Sequence, residues 1–160
     1  MGYHRLVVAG AVALLLGGSA TLRAQNTTAN VLTGIKNLKC TFSVGASGSW
    51  QKDGEALAAL KKGPTTTFEY RDIDTTESTA NVVGLASSGH VVAQLFGANI
   101  HFLEMRSTGS LMLTTVFTQE SRDKKLKAVY TRADYLPIAI PGFANSPEVS
   151  QQYGECEIIP

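Results

Sequence analysis

The residues that could carry chemistry in this sequence are few and scattered. Its histidines, His4, His90 and His101, form no H-x-x-x-H or H-E-x-x-H spacing, so no two imidazoles are placed to share a metal. Asp72, Asp74 and Glu77 in "RDIDTTE" are spaced like calcium-binding carboxylates. The glycine and remaining ligands of a full loop are missing, and the run reads as a solvated strand end. No G-x-S-x-G elbow sets up a nucleophilic serine. No glycine-rich run lies between a strand and a helix, where it could cradle phosphate. "DKKLK" gathers Lys124, Lys125 and Lys127, but Glu120, Arg122 and Asp123 beside them make the tip mixed in sign. His101, near Glu104, reads as a structural or surface histidine. No catalytic residue, metal-ligand set or cofactor site follows from these patterns. What remains is the pair Cys40 and Cys156, the only cysteines, whose chemistry depends on compartment.

The compartment is read from the first 24 residues. His4 and Arg5 precede an apolar run from Leu6 to Leu16, followed by Gly17, Gly18, Ser19 and Ala20. This is the three-part pattern of a secretory signal peptide, with cleavage after Ala24 expected and Ala20 as the alternative. The run is shorter than the roughly 20 apolar residues a membrane helix needs. No later segment is apolar enough for a membrane span. The expected location is therefore secreted or periplasmic. With Arg5 and Arg23 removed, 12 Lys and Arg stand against 13 Asp and Glu, a formal charge of −1. No basic excess is left to hold phosphates, so nucleic acid is not an expected partner. In an oxidising compartment an even pair of cysteines is expected to form a disulfide. A zinc site would need further ligands near them, and none is there.

The elements that must position all this are strands. Residues 25–37 read as a flexible polar lead-in, and 38–160 as a single domain. "TTTFEYRDI" sets Phe68 and Tyr70 on one face against Glu69 and Arg71. "NIHFLEMR" sets Ile100, Phe102 and Glu104 against His101, Leu103 and Met105, and "KLKAVYTR" sets Leu126, Ala128 and Tyr130 against Lys125, Lys127 and Val129. "LMLTTVF" is apolar on both faces. These are period-two patterns in short segments. Asp53-Gly54, "SSGH", "FGAN" and "STGS" mark turns, and "QESRDK" a polar hairpin tip. The spacing predicts strands near 38–51, 55–61, 65–73, 79–86, 90–96, 99–106, 110–118, 125–132 and 152–159. "EALAALKK" also has helix-forming composition, and its place after Asp53-Gly54 favours strand.

Eight or nine strands joined by short turns make an all-β antiparallel meander, which removes its exposed edges by closing into a barrel or, alternatively, by folding into a sandwich. Cys40 lies in the first expected strand and Cys156 in the last, and a disulfide needs their Cα atoms within about 7 Å. A flat open meander would hold those strands at opposite edges, so the bond argues for closure. A secreted meander of this kind with tied ends is similar to the lipocalin and calycin barrels. "GSW" at Gly48–Trp50 resembles their Gly-x-Trp, and Asp134-Tyr135 resembles the end of their Thr-Asp-Tyr motif, although Ala133 precedes it and only 25 residues follow Tyr135. The chain also resembles small secreted bacterial proteins of unknown function that share a "KDGE" turn, a "TTVF" strand and a "QYGECE" end. The likeness implies fold more than activity.

On this reading the barrel interior is formed by Trp50, Phe68, Tyr70, Phe102, Phe117 and Tyr130. Between the last two strands, Ala133 to Gln151 forms a proline-containing loop with Leu136, Ile138, Ile140 and Phe143. Such an apolar loop reads as a plug of the barrel end or a segment packed on its outside, as a lid over a small apolar ligand, or as an exposed docking patch. The functional reading is a non-enzymatic barrel with a small apolar ligand. Its alternatives are a structural or protein-interaction module of the cell envelope with a filled core, and an isomerase- or cyclase-type enzyme on a barrel scaffold.

Overall fold

The computed structural model describes residues 32–51, 53–61, 63–84, 87–107, 109–134 and 147–160. Among them are nine strands: β1 (Leu38–Trp50), β2 (Ala56–Lys61), β3 (Thr66–Asp74), β4 (Thr79–Gly84), β5 (Ser87–Phe96), β6 (Asn99–Met105), β7 (Leu111–Glu120), β8 (Leu126–Asp134) and β9 (Glu148–Ile158). Every pairing is antiparallel, and β1 pairs with β9 to close the sheet. β1 is long enough to serve two neighbours on its other side. Residues 38–42 pair with β3, and residues 45–50 continue past it to pair with β2. The result is an eight-strand closed barrel with β2 as an extra strand on an extension of its wall. The helix-prone "ALAALK" is thus held as strand by its partner β1.

The turns explain the register. Gln51 N–H donates to Glu55 O and Gly54 N–H to Gln51 O, with Gly54 at φ 89°. The same hydrogen-bond pattern closes β6–β7 through Arg106, Gly109 and Ser110, with Gly109 also at φ 89°. It closes β7–β8 through Ser121, Lys124 and Lys125, where Lys124 takes the left-handed position at φ 56°. In each case a left-handed residue completes a three-residue hairpin loop. At β3–β4, Asp74 Oδ1 accepts the N–H groups of Thr76 and Glu77. These bonds hold its carboxyl below the usual carboxylate range. "SSGH" is not a turn: β5 begins at Ser87, and Gly89 pairs with Val82 inside the ladder.

Cys40 and Cys156 stand directly opposite each other in the β1–β9 register and are joined by a disulfide, with Cα atoms 4.0 Å apart and both residues fully buried. A structural disulfide points to folding in an oxidising compartment. Next to it the ladder shifts between Phe42 and Val44. Phe42 is 1% exposed and Val44 59%, although two residues apart they would share a face in an unbroken strand. The bulge at Ser43 therefore turns the rest of β1 over. Gly154 lies opposite, where a Cβ would come within 2.7 Å of the Phe42 Cα.

Residues 32–37 pack against the end of the barrel opposite the mouth. Leu32 and Ile35 are buried in the core cluster, and Asn37 bonds Asp72 N–H, Pro160 O and Ile159 N–H. Residues 32–37 are thus part of the barrel, not of a flexible lead-in. At the opposite end β8 reaches Asp134 and β9 begins at Glu148, four residues earlier than the sequence pattern predicts. Their polar residues still pair, with both β8 and β1, so the connecting loop is shorter than expected.

Candidate functional site at the barrel mouth

On β6 and β8 alternation carries the inward face from an apolar base to a polar rim. On β6 the inward sequence is Ile100, Phe102, Glu104; on β8 it is Leu126, Ala128, Tyr130, Arg132, Asp134. At the rim Arg106 Nε donates to Glu104 Oε1 at 3.0 Å, and Arg132 Nε donates to Asp134 Oδ2. Both are same-face pairs two residues apart. Partial exposure keeps such pairs weak in stability, but it leaves a band of fixed charge around the mouth.

Beneath the band the interior is packed. Tyr70 stacks on Phe102 with ring centroids 3.8 Å apart and donates its hydroxyl to Thr114 Oγ1 at 2.6 Å. Burial pushes the Tyr70 phenol well above the usual tyrosine range, against the opposing pull of the Thr114 bond. Burial also raises Tyr130, with Arg132 acting in the other direction. Both phenols therefore keep their protons to higher pH than a free tyrosine does. The void among Tyr70, Phe102, Met112 and Thr114 measures about 20 Å³, room for one water.

Beside it the wall opens into a cleft of about 400 Å³. Its floor is the aromatic cluster Phe42, Phe68 and Tyr130, with centroids 5.0 to 6.1 Å apart. Its sides include Arg132, Ser150 and Gln152. On β1 the cleft is lined by Phe42 to Ala46, and Gly45, opposite Gln152, has no side chain to fill it. Among the described residues, Gln152 Oε1 is buried there without a hydrogen-bond partner, and so is Asp134 Oδ1 at the rim. A buried acceptor left unpaired is costly, and each one calls for a donor.

Of the residues expected inside the barrel, Phe68, Tyr70, Phe102 and Tyr130 are buried there. Trp50 is not: it is 51% exposed, because the bulge turns over the second half of β1 and carries it beyond the barrel. Phe117 is only partly buried, since it follows the inward Val116 on the opposite face. Leu136, Ile138, Ile140 and Phe143 lie outside the described residues. His101 Nδ1 and Thr115 Oγ1 are 3.0 Å apart, and no cluster of metal-ligating residues exists among the described residues.

Sequence reasoning passed over Phe42, Arg132 and Gln152. Parity along "KLKAVYTRAD" already placed Arg132 with Tyr130, so that signal was available; Gln152 needed the register of β9. Comparison with known proteins gave no matching family model, curated protein or solved structure. The class is defined by geometry alone: a closed antiparallel β-barrel with a packed base and a polar, cleft mouth.

Proposed function

We propose that this chain is an exported, non-enzymatic binding barrel that holds a small ligand at its mouth, not at its centre. The carrying observation is the cleft of about 400 Å³ in which an aromatic floor meets Gln152, whose Oε1 has no partner among the described residues. Its volume falls within the roughly 300–1,000 Å³ of small-molecule sites. The ligand class that fits has an apolar ring or chain for the floor and a head bearing a hydrogen-bond donor for Gln152. Arg132 adds room for a partial negative charge. The packed base, with space for one water, argues against a long chain running down the barrel axis.

The lid reading of Leu136, Ile138, Ile140 and Phe143 is carried into this proposal for the cleft, whose residues Arg132 and Ser150 lie near the ends of β8 and β9 that face that part of the sequence. Export follows from the signal-peptide pattern, and N-terminal sequencing of the exported protein should begin at Gln25. A fluorescent anilinonaphthalene sulfonate probe is expected to bind saturably at micromolar concentration, 1 μM corresponding to about −8 kcal/mol. Ser150→Trp, which fills the cleft, should abolish that binding without unfolding the protein. Replacing Ile138, Ile140 and Phe143 by Ser should weaken binding more than it lowers Tm. Equal binding by wild type and Ser150→Trp would overturn the assignment.

A further inference from the structure

The closed barrel has eight strands without a free edge, yet β2 is left outside the closure. Among the described residues its strand neighbour is β1 alone. Natural edge strands are blunted by Lys, Pro, bulges or a covering segment. β2 has no Pro and no bulge, its one Lys is the terminal Lys61, and Ala56 to Leu60 are all exposed, with Leu60 at 88% and Leu57 at 51%. We propose that β2 is the interface of a symmetric homodimer, in which it pairs antiparallel with β2 of a second copy.

The hydrogen-bond phase selects the register. Gln51 N–H donates to Glu55 O, so residues 51 and 55 form a bonded pair of the β1–β2 ladder. Bonded and non-bonded pairs alternate along antiparallel strands. With Trp50 opposite Ala56 and Ser49 opposite Leu57, the backbone groups of Leu57 and Ala59 point to β1. Those of Ala56, Ala58 and Leu60 point to the open edge. A second β2 can engage all of these groups in one antiparallel register, with Ala58 opposite Ala58 and Ala56 opposite Leu60. A shift by one residue brings inward-pointing groups to the edge, and a shift by two leaves part of the edge unpaired.

Charge selects the same arrangement. Around Ala58, Glu55 falls opposite Lys61 of the second copy at both ends of the pair, whereas parallel pairing would set like charges together. Opposite charges across a strand pair are favourable and like charges are not. The side-chain rows also mesh. Trp50 is opposite Ala56 within one copy, so the dimer row reads Ala46, Leu60, Ala56, Trp50, with the last two from the second copy. The small Ala56 leaves space for half-exposed Trp50 to lie over the otherwise solvated Leu60. The interface is isologous, so it closes as a two-fold dimer and does not propagate.

Sedimentation velocity tests this, with Trp50 as the only tryptophan reporter. The oxidised protein should sediment as a dimer that dissociates on dilution, its emission shifting to the blue as the dimer forms. Ala58→Pro removes an edge-facing N–H that β1 does not use, a position where edge strands accept proline. It should sediment as a monomer with wild-type circular dichroism. Leu60→Lys, on a side chain the isolated fold leaves in solvent, should do the same. Glu55→Lys should weaken the dimer, and adding Lys61→Glu should restore it. A wild type that is monomeric at all concentrations overturns the proposal, as does a dimer that survives both Ala58→Pro and Leu60→Lys.

Discussion

Tyr70 concentrates the residue-scale argument. Its ring stacks on Phe102 and its hydroxyl serves Thr114, the buried polar residue of the core. Tyr70→Phe leaves the Thr114 hydroxyl without that partner and should cost about 1–3 kcal/mol in urea unfolding. The folded protein holds the Tyr70 and Tyr130 protons more tightly than the unfolded chain does. Their contribution is complete below the unfolded tyrosine value of about pH 10 and is lost as pH rises from there toward the folded values. Urea midpoints should therefore fall above about pH 10, less steeply in a Tyr70→Phe/Tyr130→Phe variant. Lys124 makes the opposite case, because it holds a left-handed position that Gly54 and Gly109 fill in the sister hairpins. Lys124→Gly removes about 1–2 kcal/mol of strain against about 0.5–1 kcal/mol of added chain entropy. Thermal melts should show a small rise in Tm. At this scale alternation alone made Phe68, Tyr70, Phe102 and Tyr130 legible. Trp50 was misread because a one-residue bulge upstream reverses every later side chain of β1, and nothing in "TFSVGASGSW" announces it.

At the scale of elements the strands were legible nearly to their ends, because turn residues punctuate period-two runs. The exceptions are physical. Gly89 sits in a ladder because its neighbours pair with β4, and β9 starts at Glu148 because partners on β8 and β1 hold a stretch whose composition is polar. The β1–β9 seam depends on Gly154, where a Cβ would press on the backbone of Thr41 and Phe42. Backbone cannot move aside as a flexible side chain can. Gly154→Ala should therefore destabilise by about 1–3 kcal/mol, as overpacking does, while Gly48→Ala, which meets nothing closer than 3.8 Å, should be far milder. Chemical denaturation of the two variants side by side checks the contrast.

For the molecule as a whole, closure is tied by one bond across a separation of 116 residues. The chain-entropy view values a loop of that length at about 4–5 kcal/mol. Cys156→Ala or reduction should lower stability by about 2–5 kcal/mol, read as a fall in Tm, and thiol labelling of the denatured protein should require reductant. That bond was legible in the sequence as an even cysteine pair behind an export signal, and closure was legible from the bond, because cysteines in the first and last strands can meet only if the sheet closes. The mouth cleft was not, since it depends on the bulge that sets Gly45 opposite Gln152 beside Phe42 and Tyr130. The central claim is that this cleft, and not the barrel axis, receives a ligand. Titrating the anilinonaphthalene sulfonate probe into isotope-labelled protein and following amide chemical shifts tests it most directly. The account predicts saturable shifts gathered at Phe42 to Ala46, Gly63 to Phe68, Tyr130 to Arg132 and Ser150 to Gln152. Shifts centred instead on the buried β5 and β6 residues Val91, Ala93 and Ile100, or no saturable shifts at all, would contradict it.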